Sequence, residues 1–85
     1  MFDIETIKTA VQNSWDEYRR CIEKTNSSTV YNDKNLFRFY SDRAKKFKYR
    51  VQGMEDILYE MGYLVIHCAD GKSVDVLERI DMGIE

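Results

Sequence analysis

Between Asp33 and Met61 two apolar series run interleaved with a seven-residue step: Phe37, Ala44, Val51, Leu58 and Tyr40, Phe47, Met54, Met61. A recurrence of that period held for four repeats is a helical seam. One helix carrying it is a rod of roughly 40 Å at about 1.5 Å per residue. Gly53 is the discordant residue, about 1 kcal/mol worse than alanine in a helix interior. Val51, Met54, Leu58 and Met61 nevertheless keep phase across it, and no capping residue stands where a new helix would begin. The expectation is therefore one continuous helix over about 33–61, bent or approached closely by another backbone at Gly53. Gly62 then stands where a left-handed residue ends a helix.

A second stripe precedes the first. Behind Asp3, a plausible N-cap, Ile4, Ile7, Val11, Trp15, Tyr18 and Ile22 follow at spacings of three or four, which predicts an amphipathic helix over about 3–25. Asn26, Ser27, Ser28 and Thr29 compete with helical hydrogen bonding, so Thr25 to Asn32 reads as the loop of a helical hairpin. Val30 and Tyr31 are its expected tethers, and Asn32 or Asp33 caps the long helix.

After Gly62 the period changes to two. Tyr63 to Cys68 and Ser73 to Ile80 flank the turn material Ala69-Asp70-Gly71 and predict a β-hairpin over about 63–80. A three-residue loop with Gly71 left-handed pairs Ile66 with Val74 and Leu64 with Val76, and gathers the apolar residues on one face. That register is preferred to the one pairing Ile66 with Asp75, which mixes polarity on both faces. The tail Asp81 to Glu85 has no packing pattern, with a loose docking of Met82 or Ile84 as the one exception expected. The whole is expected to be an α+β fold of two layers: an antiparallel two-helix hairpin followed by a C-terminal β-hairpin, order α-α-β-β.

At 85 residues the chain has room for one domain, 1–85. Its formal charge of −2 conceals a dipole. Residues 34–50 hold seven Lys or Arg against the single Asp42, a local balance of +6 that leaves −8 for the rest. Two cysteines are too few for a disulfide framework, and the start has neither the basic region nor the apolar run of a secretory signal. A cytoplasmic location and no membrane association are the resulting expectations.

Catalytic chemistry finds little material. His67 and Cys68 are adjacent, so in a strand they point to opposite faces and cannot readily share a metal or form a thiolate–imidazole couple. Cys68 is expected in the core and His67 at the rim, with Trp15, Met54 and Met61 also in the core. Cys21, on the flank of the first helix, could approach Cys68. Glu55, Asp56 and Glu60 are the compact acidic group, read as a solvated face rather than a cation site. No catalytic residues, metal site or cofactor are assigned, and the chain is expected not to be an enzyme.

Two surfaces of the long helix remain as binding candidates. Arg38, Lys45 and Lys46 project opposite the seam with Tyr49 among them, a combination suited to phosphate contacts and base stacking. Phe39 and Ile57 fall outside the main arc and offer apolar area to a protein if the hairpin leaves them uncovered. The leading expectation is a small non-enzymatic protein–protein interaction module that self-associates as a homodimer, through a sheet edge or the Phe39/Ile57 flank. The alternatives are a nucleic-acid-binding accessory protein using Arg38, Lys45, Lys46 and Tyr49, or an inhibitor occupying a nucleic-acid groove of a partner protein.

Overall fold

Asp3 does cap the first helix, its carboxylate accepting the Thr6 N–H at 2.8 Å. The computed structural model describes residues 3–78. From that cap α1 runs Ile4–Thr25, a one-turn helix α2 covers Ser28–Tyr31, and α3 spans Lys34–Glu60. Two antiparallel strands, β1 Tyr63–His67 and β2 Val74–Glu78, complete the order, so the architecture is α+β with a C-terminal hairpin. The loop between the long helices is thus partly helical, with Val30 buried as a tether and Tyr31 exposed. The expected end of the hairpin at Ile80, and the tail with Met82 and Ile84, lie outside the described residues.

α3 is continuous through Gly53, and its buried residues Ala44, Phe47, Val51 and Leu58 lie along the expected seam. Asp33 caps it by accepting from the N–H groups of Asn35 and Leu36. Gly62 follows with φ 96°, the left-handed stop. The seam dries only in its middle: Phe37 and Met61 are exposed. At 27 residues α3 outruns the 22 of α1, and its first turns lie against the short α2. Phe37 instead meets the Tyr31 ring edge-on, centroids 5.8 Å apart. On α1 the stripe also departs from expectation, with Ser14 and Cys21 buried and Ile22 left at the surface.

The hairpin corrects the expected register. β1 and β2 pair Val65 with Val76, Ile66 with Asp75 and His67 with Val74. Cys68 donates to the Ser73 carbonyl at 2.9 Å and Gly71 to that of Cys68 at 3.0 Å, which closes the turn beyond the strands. The Asp70 carboxylate accepts from the N–H groups of Lys72 and Ser73, holding both in the turn. As a result Val74 and Val76 are buried while Tyr63 and Val65 pack beside them. Cys68, expected in the core, is exposed, and Cys21 is buried; both are free thiols.

Two separate cores result. Ile7, Val11, Leu58, Val74 and Val76 cluster where the sheet lies on the helices, and Cys21, Ala44 and Phe47 cluster between the helices farther along. The molecule measures 48 × 22 × 20 Å, so the sheet braces one end of an elongated helical pair.

Candidate functional site

The helix pitch decides which α3 side chains are free. With Ala44, Phe47, Val51 and Leu58 turned inward, Arg38, Lys45 and Tyr49 fall on the far side at intervals of seven and four residues. All three are exposed, as is Lys46, which lies further round toward Phe39 and Ile57. Tyr49 is 66% exposed. None of Arg38, Lys45 or Lys46 has an ion pair among the described residues. The acidic residues of α1 do not neutralise them. Asp16 pairs with Arg19 at 3.6 Å and Glu17 with Arg20, both within α1 itself.

Near the start of α3 the exposed ring of Tyr31 joins Phe37, Lys34 and Arg38 around a shallow hollow that also includes Asp42. Nothing in the loop composition marked Tyr31 as more than a tether. Arg43 and Arg50 are used differently, their guanidinium carbons lying 5.2 and 5.1 Å from the Phe47 ring centre. They lid the smaller core by cation–π contact.

Phe39 and Ile57 are separated by 18 residues, five helical turns, and therefore share one phase of α3. The hairpin covers neither: Phe39 is 54% exposed and Ile57 63%. Beside Ile57 an open apolar cavity of about 240 Å³ lies between α1 and α3, rimmed by Thr6, Ala10, Ile57 and Met61 over a floor that includes Val11 and Leu58. No strand residue lines it. Met61, assigned to the core from its spacing, is 57% exposed at this rim.

The opposite side of the helical pair is occupied by polar clamps. His67 Nε2 meets Glu55 Oε1 at 2.5 Å, and the imidazole lies edge-on to Trp15, centroids 4.6 Å apart. Trp15 Nε1 donates to the Gly71 carbonyl at 3.0 Å. One histidine thereby ties β1 to both long helices, a structural use of the residue that sequence placed at the rim. Asp3 and Asp70 have carboxyl pKa values below the ordinary range. The cause is first the Thr6 backbone N–H for Asp3, and first the Ser73 then the Lys72 N–H for Asp70.

Among the described residues no group of three or more His, Cys, Asp or Glu side chains is placed to hold a metal ion. No described helix is long and apolar enough to cross a membrane. No protein-family model matches the chain, and no curated protein or solved structure matches it significantly.

Proposed function

We propose that this chain is a small non-enzymatic protein-interaction module that self-associates, with the free flank of α3 as its docking surface. The observation that carries the reading is the pair Ile57 and Met61, more than half exposed on the rim of an apolar cavity the sheet does not reach. Apolar side chains grouped around a hollow are what an interface core requires. The β2 edge of the sheet is a weaker candidate for the contact. The N–H of Val74 is taken by Gln12 and that of Val76 by Asp75, so β2 offers a partner strand few free donors.

Sedimentation equilibrium from micromolar to hundreds of micromolar tests the reading. Reversible dimers that an Ile57→Asp substitution disperses support it. A monomer throughout that range, together with no protein recovered in pull-downs, counts decisively against it.

A second reading is favoured by the unpaired cations Arg38, Lys45 and Lys46 beside Tyr49: a nucleic-acid-binding accessory protein. Its affinity for a single-stranded oligonucleotide falls steeply with salt and weakens on charge reversal at Lys45 and Lys46. Absence of binding at low salt removes it.

A further inference from the structure

Gly53 has no intramolecular reason to be glycine. It lies inside a continuous α-helix, it is exposed, and a Cβ built there meets nothing within 4 Å. Any residue other than proline would suit the helix better. A glycine in such a place lets another backbone come close.

The residues around it are ordered about that point. Lys46, Tyr49 and Arg50 precede Gly53 by seven, four and three positions, and Asp56, Ile57 and Glu60 follow it by three, four and seven. These offsets bring all six onto one stripe within about 60° of Gly53. Every one is exposed, Arg50 included, whose guanidinium leaves its place beside the Phe47 ring to pair with a second copy. Along the stripe the charge changes sign at the glycine, cations before it and carboxylates after it, with one large apolar side chain on each side. The pattern is antisymmetric in charge and symmetric in shape.

A surface of that kind is complementary to itself when turned around. We infer that the partner of this flank is a second copy of the chain, with the two α3 helices antiparallel and crossing at Gly53. The inference deepens the proposed function and rests on the reading of the chain as a self-associating module. A two-fold axis at Gly53 sets Lys46 level with Glu60 of the second copy, Arg50 with Asp56 and Tyr49 with Ile57, each relation occurring twice, and the long lysine and arginine side chains reach across the seam to the carboxylates. At a crossing angle of about 20° the positions seven residues out remain within reach of lysine and glutamate side chains. A parallel arrangement sets Lys46 against Lys46 and Asp56 against Asp56, so charge selects the antiparallel one. Ile57 and Met61 extend the contact over the apolar hollow between α1 and α3. Lys46 and Arg50, without ion pairs of their own among the described residues, meet carboxylates of the other copy.

Charge exchange tests this. One variant carries Lys46→Glu and Arg50→Glu, the other Asp56→Lys and Glu60→Lys; circular dichroism checks that both keep the helical fold. The expected result by sedimentation velocity is a wild-type dimer, each variant alone weakened on the order of ten-fold or more in Kd, and an equimolar mixture that dimerises again. Independently, Gly53→Cys in a Cys68→Ser background is expected to give a disulfide-linked dimer on mild oxidation. If the wild type dimerises but both variants do so equally well, the Gly53 register is overturned while self-association stands. If the wild type stays monomeric at hundreds of micromolar, register and self-association fall together.

Discussion

The carboxamide of Gln12 stands in for a strand: its Oε1 accepts the Val74 N–H at 2.8 Å and its Nε2 donates to the Lys72 carbonyl at 2.8 Å. These two backbone groups flank Ser73 on the outer edge of the hairpin, where the N–H and C=O of one residue of a third, parallel strand would bond. The second Nε2 hydrogen goes to Asp16 at 2.9 Å, which fixes the amide orientation. α1 therefore both packs on the hairpin and closes its edge. Gln12→Ala is expected to cost about 1–2 kcal/mol, because it strands a backbone donor next to buried Val74. Gln12→Glu keeps the acceptor and loses the donor, and should fall between wild type and alanine in urea unfolding. Equal stability of all three proteins would show that the amide does not close the edge.

Adjacent positions on α3 should respond oppositely in magnitude. Leu58 is buried in the main core, whereas Ile57 is exposed. Leu58→Ala is expected to lower stability by about 2–5 kcal/mol, and Ile57→Ala by less than about 0.5 kcal/mol when both are measured on the monomer at low concentration. Similar losses at the two sites would mean the helix phase is wrong.

Gly53→Ala should stabilise the isolated subunit. The helix is already formed there and the added methyl meets no atom within 4 Å. The expected gain is about 0.5–1 kcal/mol in urea unfolding of the monomer. A loss would place an unseen strain or contact at this residue.

Acid should loosen the turn through Asp70. The Ser73 and Lys72 N–H groups hold its carboxyl pKa below the ordinary carboxylate range. A depressed carboxyl pKa contributes stability that is present above the unfolded value and lost as pH falls through the folded one. Between pH 5 and pH 2 the unfolding midpoint of the wild type should therefore drop more than that of Asp70→Ala. Asp3, held by the Thr6 N–H, works in the same direction at the start of α1. Parallel pH profiles for wild type and Asp70→Ala would remove Asp70 from the account.

The helices were legible because their stripes have one period and their ends carry caps: Asp3, Asp33 and Gly62 each occupy the expected role. The strand register was not, and the reason lies in β1. Tyr63 and Val65 on one face are as apolar as Leu64 and Ile66 on the other, so alternation cannot choose between them. What chose was the turn. Asp70 draws the N–H groups of Lys72 and Ser73 to its own carboxylate and moves Val74 opposite His67. Cys68 was carried to the wrong face by the same one-residue slip. On α3, Phe39, Ile57 and the cations were visible by phase alone. Met61 was not, because its exposure depends on where α1 starts opposite it, a distance that no periodicity encodes. The antisymmetry about Gly53 was written in the sequence but acquires meaning only once the helix is known to run unbroken through it.

The bracing of only one end of the helical pair has a consequence for how the molecule comes apart. The cluster of Cys21, Ala44 and Phe47 has no sheet over it, whereas the cluster of Ile7, Val11, Leu58, Val74 and Val76 includes two residues of the sheet itself. Deuterium should enter the amides of α2 and of the turns it joins through a partial opening, with those near Val11 and Val74 waiting for complete unfolding. Such a molecule behaves as a clothes-peg, sprung at the sheet and loose at the jaws.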